Sequence, residues 1–353
     1  MQDAIMIQQA GAPKLAVKAD LTGKTVIIVG ANTGIGLEAA KHFASMNPSK
    51  FILACRSEER GKRAVAQVEK ATGLKNAELW LLDLSRFASV VAFADRFEKE
   101  GGRLDILVMN AGIAVQDYQE MEGWESTLHV NHLATALCSL LLLPRLLKTA
   151  SEFGVQTRLV VVSSGVHYWT SITEPVRNSP NILKKLNEKE SFPQGTTGRY
   201  QESKRTPTNI SFVRRKANHT VVLNVLFVRA LTAHLPPTSP LITTTSNPGL
   251  CDSELTRDFP GWTPPSIIHE GKKLALVSWT CEEGARQLVF AALAQVDGIR
   301  GAYTSENEIA EPSDFVISKE GKECEDRIWD ETIEILSETT PKVTEIVKQY
   351  LTV

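Results

Sequence analysis

The sequence predicts a doubly wound α/β protein, one parallel sheet covered by helices on both faces. Three observations lead there. From Gly23 onward, short β-branched runs alternate with amphipathic helical stretches. Each early strand is a nearly unbroken apolar run, as a strand covered on both faces requires. The first strand then runs into a glycine-rich turn that opens a helix. In chain order the expected strands are Thr25–Val29, Phe51–Ala54, Glu78–Leu82, Leu104–Val108, Arg158–Val162 and Leu241–Thr245. Helices are expected at Gly36–Ser45, Glu58–Thr72, Phe87–Glu100 and Trp124–Lys148, where apolar residues recur at helical spacing. The polar segment 168–199, rich in Pro, Asn, Lys and Glu, reads as a long functional loop.

Composition narrows the function classes. Of 353 residues, 42% are hydrophobic, and 39 basic residues nearly balance 41 acidic ones, so no broad basic field invites nucleic acid or anionic lipid. The five cysteines, Cys55, Cys138, Cys251, Cys281 and Cys324, form no C-x-x-C pair, which argues against a disulfide framework or a zinc site and for a reducing compartment. Residues 1–20 mix Asp3, Gln8, Gln9 and Pro13 with apolar positions and lack the h-region of a signal peptide. The longest apolar stretch, Ala134 to Leu143, falls short of the roughly 20 residues that span a bilayer. A soluble, cytoplasmic protein with no metal is the expectation.

The chemistry is carried by residues at strand ends. In Val29-Gly30-Ala31-Asn32-Thr33-Gly34-Ile35-Gly36, glycines let the backbone approach a pyrophosphate that the following helix N-terminus attracts. The second strand ends Ala54-Cys55-Arg56, where a fold selecting NAD would place an acid against the ribose hydroxyls. Arg56, with Lys62 and Arg63, instead offers a partner for a 2′-phosphate, so NADP(H) is the expected cofactor. The plainer reading of these cations is a solvated helix start. Asp83 ends the third strand, Asn110-Ala111-Gly112 follow the fourth, and Ser163-Ser164-Gly165 follow the fifth, all at the edge where such sheets bind ligands. Further on, Tyr200 and Lys204 stand at i and i+4, on one face of a helix. An ammonium beside a phenol stabilises the phenolate and brings its pKa down from about 10. Ser164 can then hydrogen-bond a substrate oxygen while Tyr200 moves its proton.

Taken in order, these motifs resemble the short-chain dehydrogenase/reductase family over roughly Leu21 to Tyr303, with Asn247-Pro248-Gly249 after the sixth strand as the last match. The resemblance implies one Rossmann domain at 21–310, preceded by an extension at 1–20 and followed by a helical segment at 311–353. It implies reversible hydride transfer between NADP(H) and a carbonyl or secondary alcohol. It also places the catalytic asparagine at Asn131, the adenine contact at Asp83 and the nicotinamide contact at Ser253, with Gly30, Asn32, Gly34, Ile35, Gly36, Asn110, Ala111 and Gly112 around the cofactor. Catalysis would rest on Asn131, Ser164, Tyr200 and Lys204. The Ala54-Cys55-Arg56 end and the long Ser164–Tyr200 spacing are similar to the retinol-dehydrogenase-like branch and its fungal relatives, which implies a small-molecule substrate of secondary metabolism and a homo-oligomer. Departures are Val29 for a threonine and Met109 for an asparagine. Segments 168–199 and 250–268, with Trp169, Phe192, Phe259 and Trp262, are the expected substrate walls and point to a bulky apolar substrate.

One segment breaks the pattern. After Lys204 the family continues as Leu-x-Asn-x-Leu-Phe, but here that run appears only at Val222-Leu223-Asn224-Val225-Leu226-Phe227. The intervening Arg205–Val221 carries Pro207 and β-branched residues that make poor helix. Two readings compete: a genuine surface insertion, or a translated intron whose removal joins Lys204 to the Leu223-Asn224 helix through one fused leucine codon. If the segment is part of the working protein, a catalytically silent cofactor-binding or regulatory protein is the alternative function on the same fold.

Overall fold

A computed structural model describes residues 13–115, 117–191, 218–256, 266–269, 272–275 and 278–352. Tyr200, Lys204, residues 205–217, Phe192, Phe259 and Trp262 lie outside the described residues.

The central sheet is built from β1 (Thr25–Val29), β2 (Lys50–Cys55), β3 (Ala77–Leu81), β4 (Ile106–Met109), β5 (Thr157–Val162), β6 (Leu241–Asn247), β7 (Tyr303–Ser305) and β8 (Glu308–Ala310). Their order is β8-β7-β6-β5-β4-β1-β2-β3. All neighbours run parallel except the β7–β8 hairpin. The order reverses beside β1, between β2 and β4, and places the C-terminal ends of β1, β4, β5 and β6 on one edge, where open α/β sheets bind ligands.

Helices α1 (Gly34–Ala44), α2 (Glu58–Thr72), α3 (Phe87–Glu100), α4 (Ala134–Phe153), α5 (Asn218–His234) and α6 (Cys281–Leu293) flank the sheet. α1 packs with α2 and α6, while α3 packs with α4. Two core clusters result. One joins Ile27, Leu107 and Leu159 to the helices α3, α4 and α5, and the other joins Ile28, Val108 and Val160 to α1 and α6. The run Leu128–Phe153 is long and apolar enough to cross a bilayer by length and composition alone, but most of it is buried within the fold. Beyond the sheet, α7 (Lys319–Thr339) lies on α5, and α8 (Pro341–Tyr350) lies on α4.

The expected strands and helices are present with small boundary shifts, and three regions differ. The helix expected at Trp124–Lys148 begins later. Trp124–Glu125 pairs with Glu120–Met121 in a short ribbon, and the Glu125 carboxylate accepts from Thr127 N–H (2.9 Å) and Leu128 N–H (3.0 Å), fixing the helix start behind it. Near its start, Leu128–Leu133 are wound as a π-helix. In segment 168–199, the described part is not an open loop. It holds helices Glu174–Arg177 and Ile182–Asn187, and the Glu331 carboxylate of α7 accepts Ile182 N–H (2.8 Å) and Leu183 N–H (2.7 Å). Ile172, Val176, Ile182, Leu183 and Leu186 bury there, so packing rather than ligand contact uses most of this stretch. Finally, α5 begins at Asn218, four residues before the expected Val222. Burial of Thr220 and a contact from Ser163 Oγ to Val221 O (2.8 Å) outweigh the weak helix propensity of this turn. The β7–β8 hairpin and α6 were not expected from periodicity.

Candidate active site

A cavity of about 900 Å³ runs along the C-terminal edge of the sheet and collects nearly every residue expected from the motifs. At its floor β1 turns at Gly30, whose φ is +81°; an added Cβ would lie 2.8 Å from Ala111 Cα. Gly36 is tighter still, since a Cβ would meet Gly30 O at 2.2 Å and Asn110 Nδ2 at 2.4 Å. Only glycine permits α1 to approach β1 and β4 this closely. Asn110 locks the arrangement by donating from Nδ2 to Gly30 O (3.0 Å). The N-terminus of α1 has no side-chain cap and no acid in its first turn, so its free N–H groups and dipole face the cavity ready for an anion. These residues fit a dinucleotide pyrophosphate.

At the β2 end the cavity is lined by Cys55, Arg56, Ser57 and Arg60. Lys62 and Arg63, expected from the sequence to join Arg56, do not line it. They pair with Glu58 and Glu59 one turn back, at 2.6 and 3.3 Å, on the exposed side of α2. Arg60 takes their place because helical geometry brings the first turn of α2 round to the cavity, and the spacing of four from Arg56 was the available signal. Asp83 also lines the cavity, with its Oδ1 accepting from Ser85 N–H (3.0 Å) and Ser85 Oγ–H (2.7 Å). Burial pushes the Cys55 thiol up to about 11 and Cys251 up to about 12, so both stay protonated near neutrality and act as apolar lining.

At the opposite end stands Ser164. Its Oγ accepts the Val166 N–H (3.2 Å), which occupies a lone pair, and among the described residues its hydroxyl proton has no acceptor and can donate into the cavity. His167, fully buried, receives Ser313 N–H at Nε2 (3.1 Å), so Nδ1 carries the proton and donates to Ser164 O (2.9 Å). Burial pushes the His167 pKa down to about 4, keeping this tautomer neutral. Asn247 ties adjacent turns together: its Oδ1 accepts from Gly165 N–H (2.9 Å) and Gly249 N–H (3.0 Å), while Nδ2 donates to Ser305 Oγ (3.1 Å). From sequence, Asn247 stood in the Asn247-Pro248-Gly249 match without a role for its side chain, and His167 was not singled out.

Asn131 lies in the π-helix, a distortion that recurs at functional sites. Its Oδ1 accepts Ile113 N–H (2.8 Å), and its Nδ2 donates to Ile113 O (2.9 Å) and Thr220 Oγ1 (3.4 Å). The side chain therefore clamps the turn after Asn110-Ala111-Gly112. Thr220, Val221 and Asn224 present α5 to the cavity wall, and Ser253 lies near Gly34 on the rim. Asn32, Gly34, Ile35 and Gly112 line the same cavity. Among the described residues no group of acids, histidines and cysteines forms a metal site.

A family model described as short chain dehydrogenase matches residues 24–172. The chain is 36% identical over 326 residues to the short chain dehydrogenase/reductase dmxR8 of Cryptosporiopsis sp., covering 92% of this chain and 93% of that protein. It is 37% identical over 290 residues to the short chain dehydrogenase sol3 of Alternaria solani, covering 82% of this chain and 91% of that protein. Among solved structures, salutaridine reductase from Papaver somniferum shares the fold with a TM-score of 0.56 at 19% identity, covering 79% of this chain and 99% of that one.

Proposed function

The chain belongs to the short-chain dehydrogenase/reductase family of oxidoreductases, and on that premise we propose that it transfers a hydride between NADP(H) and a carbonyl or secondary alcohol of a bulky, mainly apolar small molecule, in the cytoplasm and in fungal-type secondary metabolism. One observation carries the reading: a single cavity joins the Gly30–Gly36 cradle and the Arg56–Arg60 pair to the hydroxyl proton of Ser164.

Bound NADP(H) would supply or accept the hydride. Gly30, Gly34 and Gly36 would hold the pyrophosphate, Arg56 and Arg60 the 2′-phosphate, Asp83 the adenine end and Ser253 the nicotinamide end. Ser164 would donate to the substrate oxygen and hold it in line. Tyr200 would deliver or remove the proton, Lys204 would lower the Tyr200 pKa, and Asn131 would keep the wall beside α5 in register. Val115, Met121, Val166, Trp169 and Leu255 support an apolar substrate end.

Fluorescence titration with NADPH and NADH tests the cofactor half. Removing both Arg56 and Arg60 as alanines should weaken NADPH binding roughly tenfold or more, the worth of charge-assisted hydrogen bonds, and leave NADH unchanged. Equal effects on both nucleotides would show that the pair does not read the phosphate. Tyr200→Phe should abolish carbonyl-dependent NADPH oxidation while NADPH still binds.

A second reading, a silent cofactor-binding protein, is favoured by one position. Val221 sits on the cavity wall with its carbonyl bonded to Ser163, immediately before the Val222-Leu223-Asn224 run. Joining Lys204 directly to a residue at position 222 would put Lys204 in the place of Val221. Carbonyl reduction by a chain lacking Arg205–Val221, set against the chain as written, separates the two readings. Activity confined to the shorter chain supports the translated intron, and equal activity in both removes it.

A further inference from the structure

Away from the nucleotide end, the described lining of the cavity carries one charged side chain among apolar and neutral polar ones. Among the described residues, the charged ones lining the cavity are Arg56, Arg60, Asp83, Glu254 and Glu306. The first three belong to the nucleotide end, and Glu254 faces Arg60 at 3.9 Å. Glu306 stands apart from them. It follows β7, whose Ser305 is paired in register with Asn247 and bonded to its side chain, so it extends the same sheet edge that presents Ser164.

The local backbone is unusual. Glu306 and Asn307 have φ of +55° and +54°, the left-handed region that favours glycine and asparagine, as the two central residues of the β7–β8 hairpin. The turn is held there by Asn307, which donates its N–H to Gln287 Oε1 (2.6 Å) and its Nδ2 to Leu15 O (3.1 Å). Holding a glutamate in a conformation that suits glycine, by bonds from its neighbour, is the pattern of a side chain retained for its aim.

Glu306 is half-buried and makes no hydrogen bond or ion pair among the described residues; the nearby Lys14 pairs with Glu308 instead. Burial first, and then the charge of Glu308, hold its carboxyl above the ordinary carboxylate range. Its charge is felt at Tyr303, whose ring packs on His167, the residue bonded to Ser164 O. A few placed polar groups orient a ligand in such a pocket, and a carboxylate among them favours a ligand that carries a matching donor.

Resting on the hydride-transfer reading above, we propose that Glu306 is the specificity-determining residue of the substrate end and accepts a hydrogen bond from a hydroxyl group on the carbonyl substrate, selecting hydroxylated substrates over their deoxygenated analogues. Either protonation state of the carboxyl offers an acceptor oxygen. A hydrogen bond to a charged group is worth roughly a tenfold preference or more.

The test uses the full chain saturated with NADPH, titrated with 1-tetralone and its ring-hydroxylated analogues, following both tryptophan fluorescence, which reports through Trp169 and Trp279 at the cavity, and NADPH oxidation. The expected result is a preference of roughly tenfold or more for at least one hydroxytetralone. E306A should reduce that preference to about twofold or less with NADPH affinity unchanged, and E306G, which suits the turn better, should keep the fold while losing the same preference. Equal affinity across the series, or a preference that survives E306A, overturns the proposal. A Glu306-dependent binding preference without NADPH oxidation would sink hydride transfer and leave this inference standing. Reduction of every tetralone with no response to E306A would do the reverse.

Discussion

At Gly36, an added methyl would strike Gly30 O and Asn110 Nδ2 at once, and both are fixed parts of the nucleotide floor. Gly36→Ala should therefore cost about 1–3 kcal/mol, the range for overpacking, and weaken NADPH binding in parallel; calorimetry and titration of the same sample check the two together. His132 and His167 make a second residue-scale prediction. Burial lowers both pKa values to about 4, well below the value of an unfolded histidine. Between pH 6.5 and 4 the unfolded chain binds protons that the folded chain refuses, so folding stability falls as pH drops through that window. The loss is about 3 kcal/mol per histidine at its fullest. His167→Gln should flatten the pH dependence of the unfolding midpoint over this range, and an unchanged slope would show that His167 does not contribute.

Among the elements, β1 through β6 and helices α2 and α3 were legible because their apolar periodicity is long and bounded by turns; α2 and α3 have the limits expected from sequence. Three causes hid the rest. Glu125 acts through backbone N–H groups just beyond it, a capping role that no apolar period reveals. β7 and β8 have only three residues each, too few for alternation to register. The placing of 172–187 depends on Glu331, a partner far along the chain that sequence spacing cannot identify. The site followed the same division. Gly30, Gly36, Asn110 and Ser164 were legible from local motifs, whereas His167, Asn247 and Arg60 acquire their partners only when strands from distant segments meet. A direct consequence concerns helix Ile182–Asn187. Glu331→Ala would leave two buried N–H groups without acceptors and should lower stability by about 1–3 kcal/mol, measurable by denaturant unfolding.

On the scale of the whole molecule, the outer faces of α4 and α5 are already occupied. α7 and α8 lie across them, with Trp329 stacked on Phe227 at 6.0 Å and on His234 at 4.6 Å. The family resemblance implied a homo-oligomer, yet the chain covers this helix face with its own segment. Light scattering should therefore return the mass of one chain, and removing residues 319–352 should expose the face and produce larger species. A two-chain mass in the intact protein, abolished by changes at Phe227, would contradict this. The Asn247 side chain bears on a longer timescale. Because one amide holds the turns after β5 and β6 and the end of β7, the turn that carries Ser164 is fixed by the sheet edge itself. Descendants of this gene can thus vary the loop tips without moving Ser164, which makes the placing of that hydroxyl heritable separately from the shape of the cavity mouth.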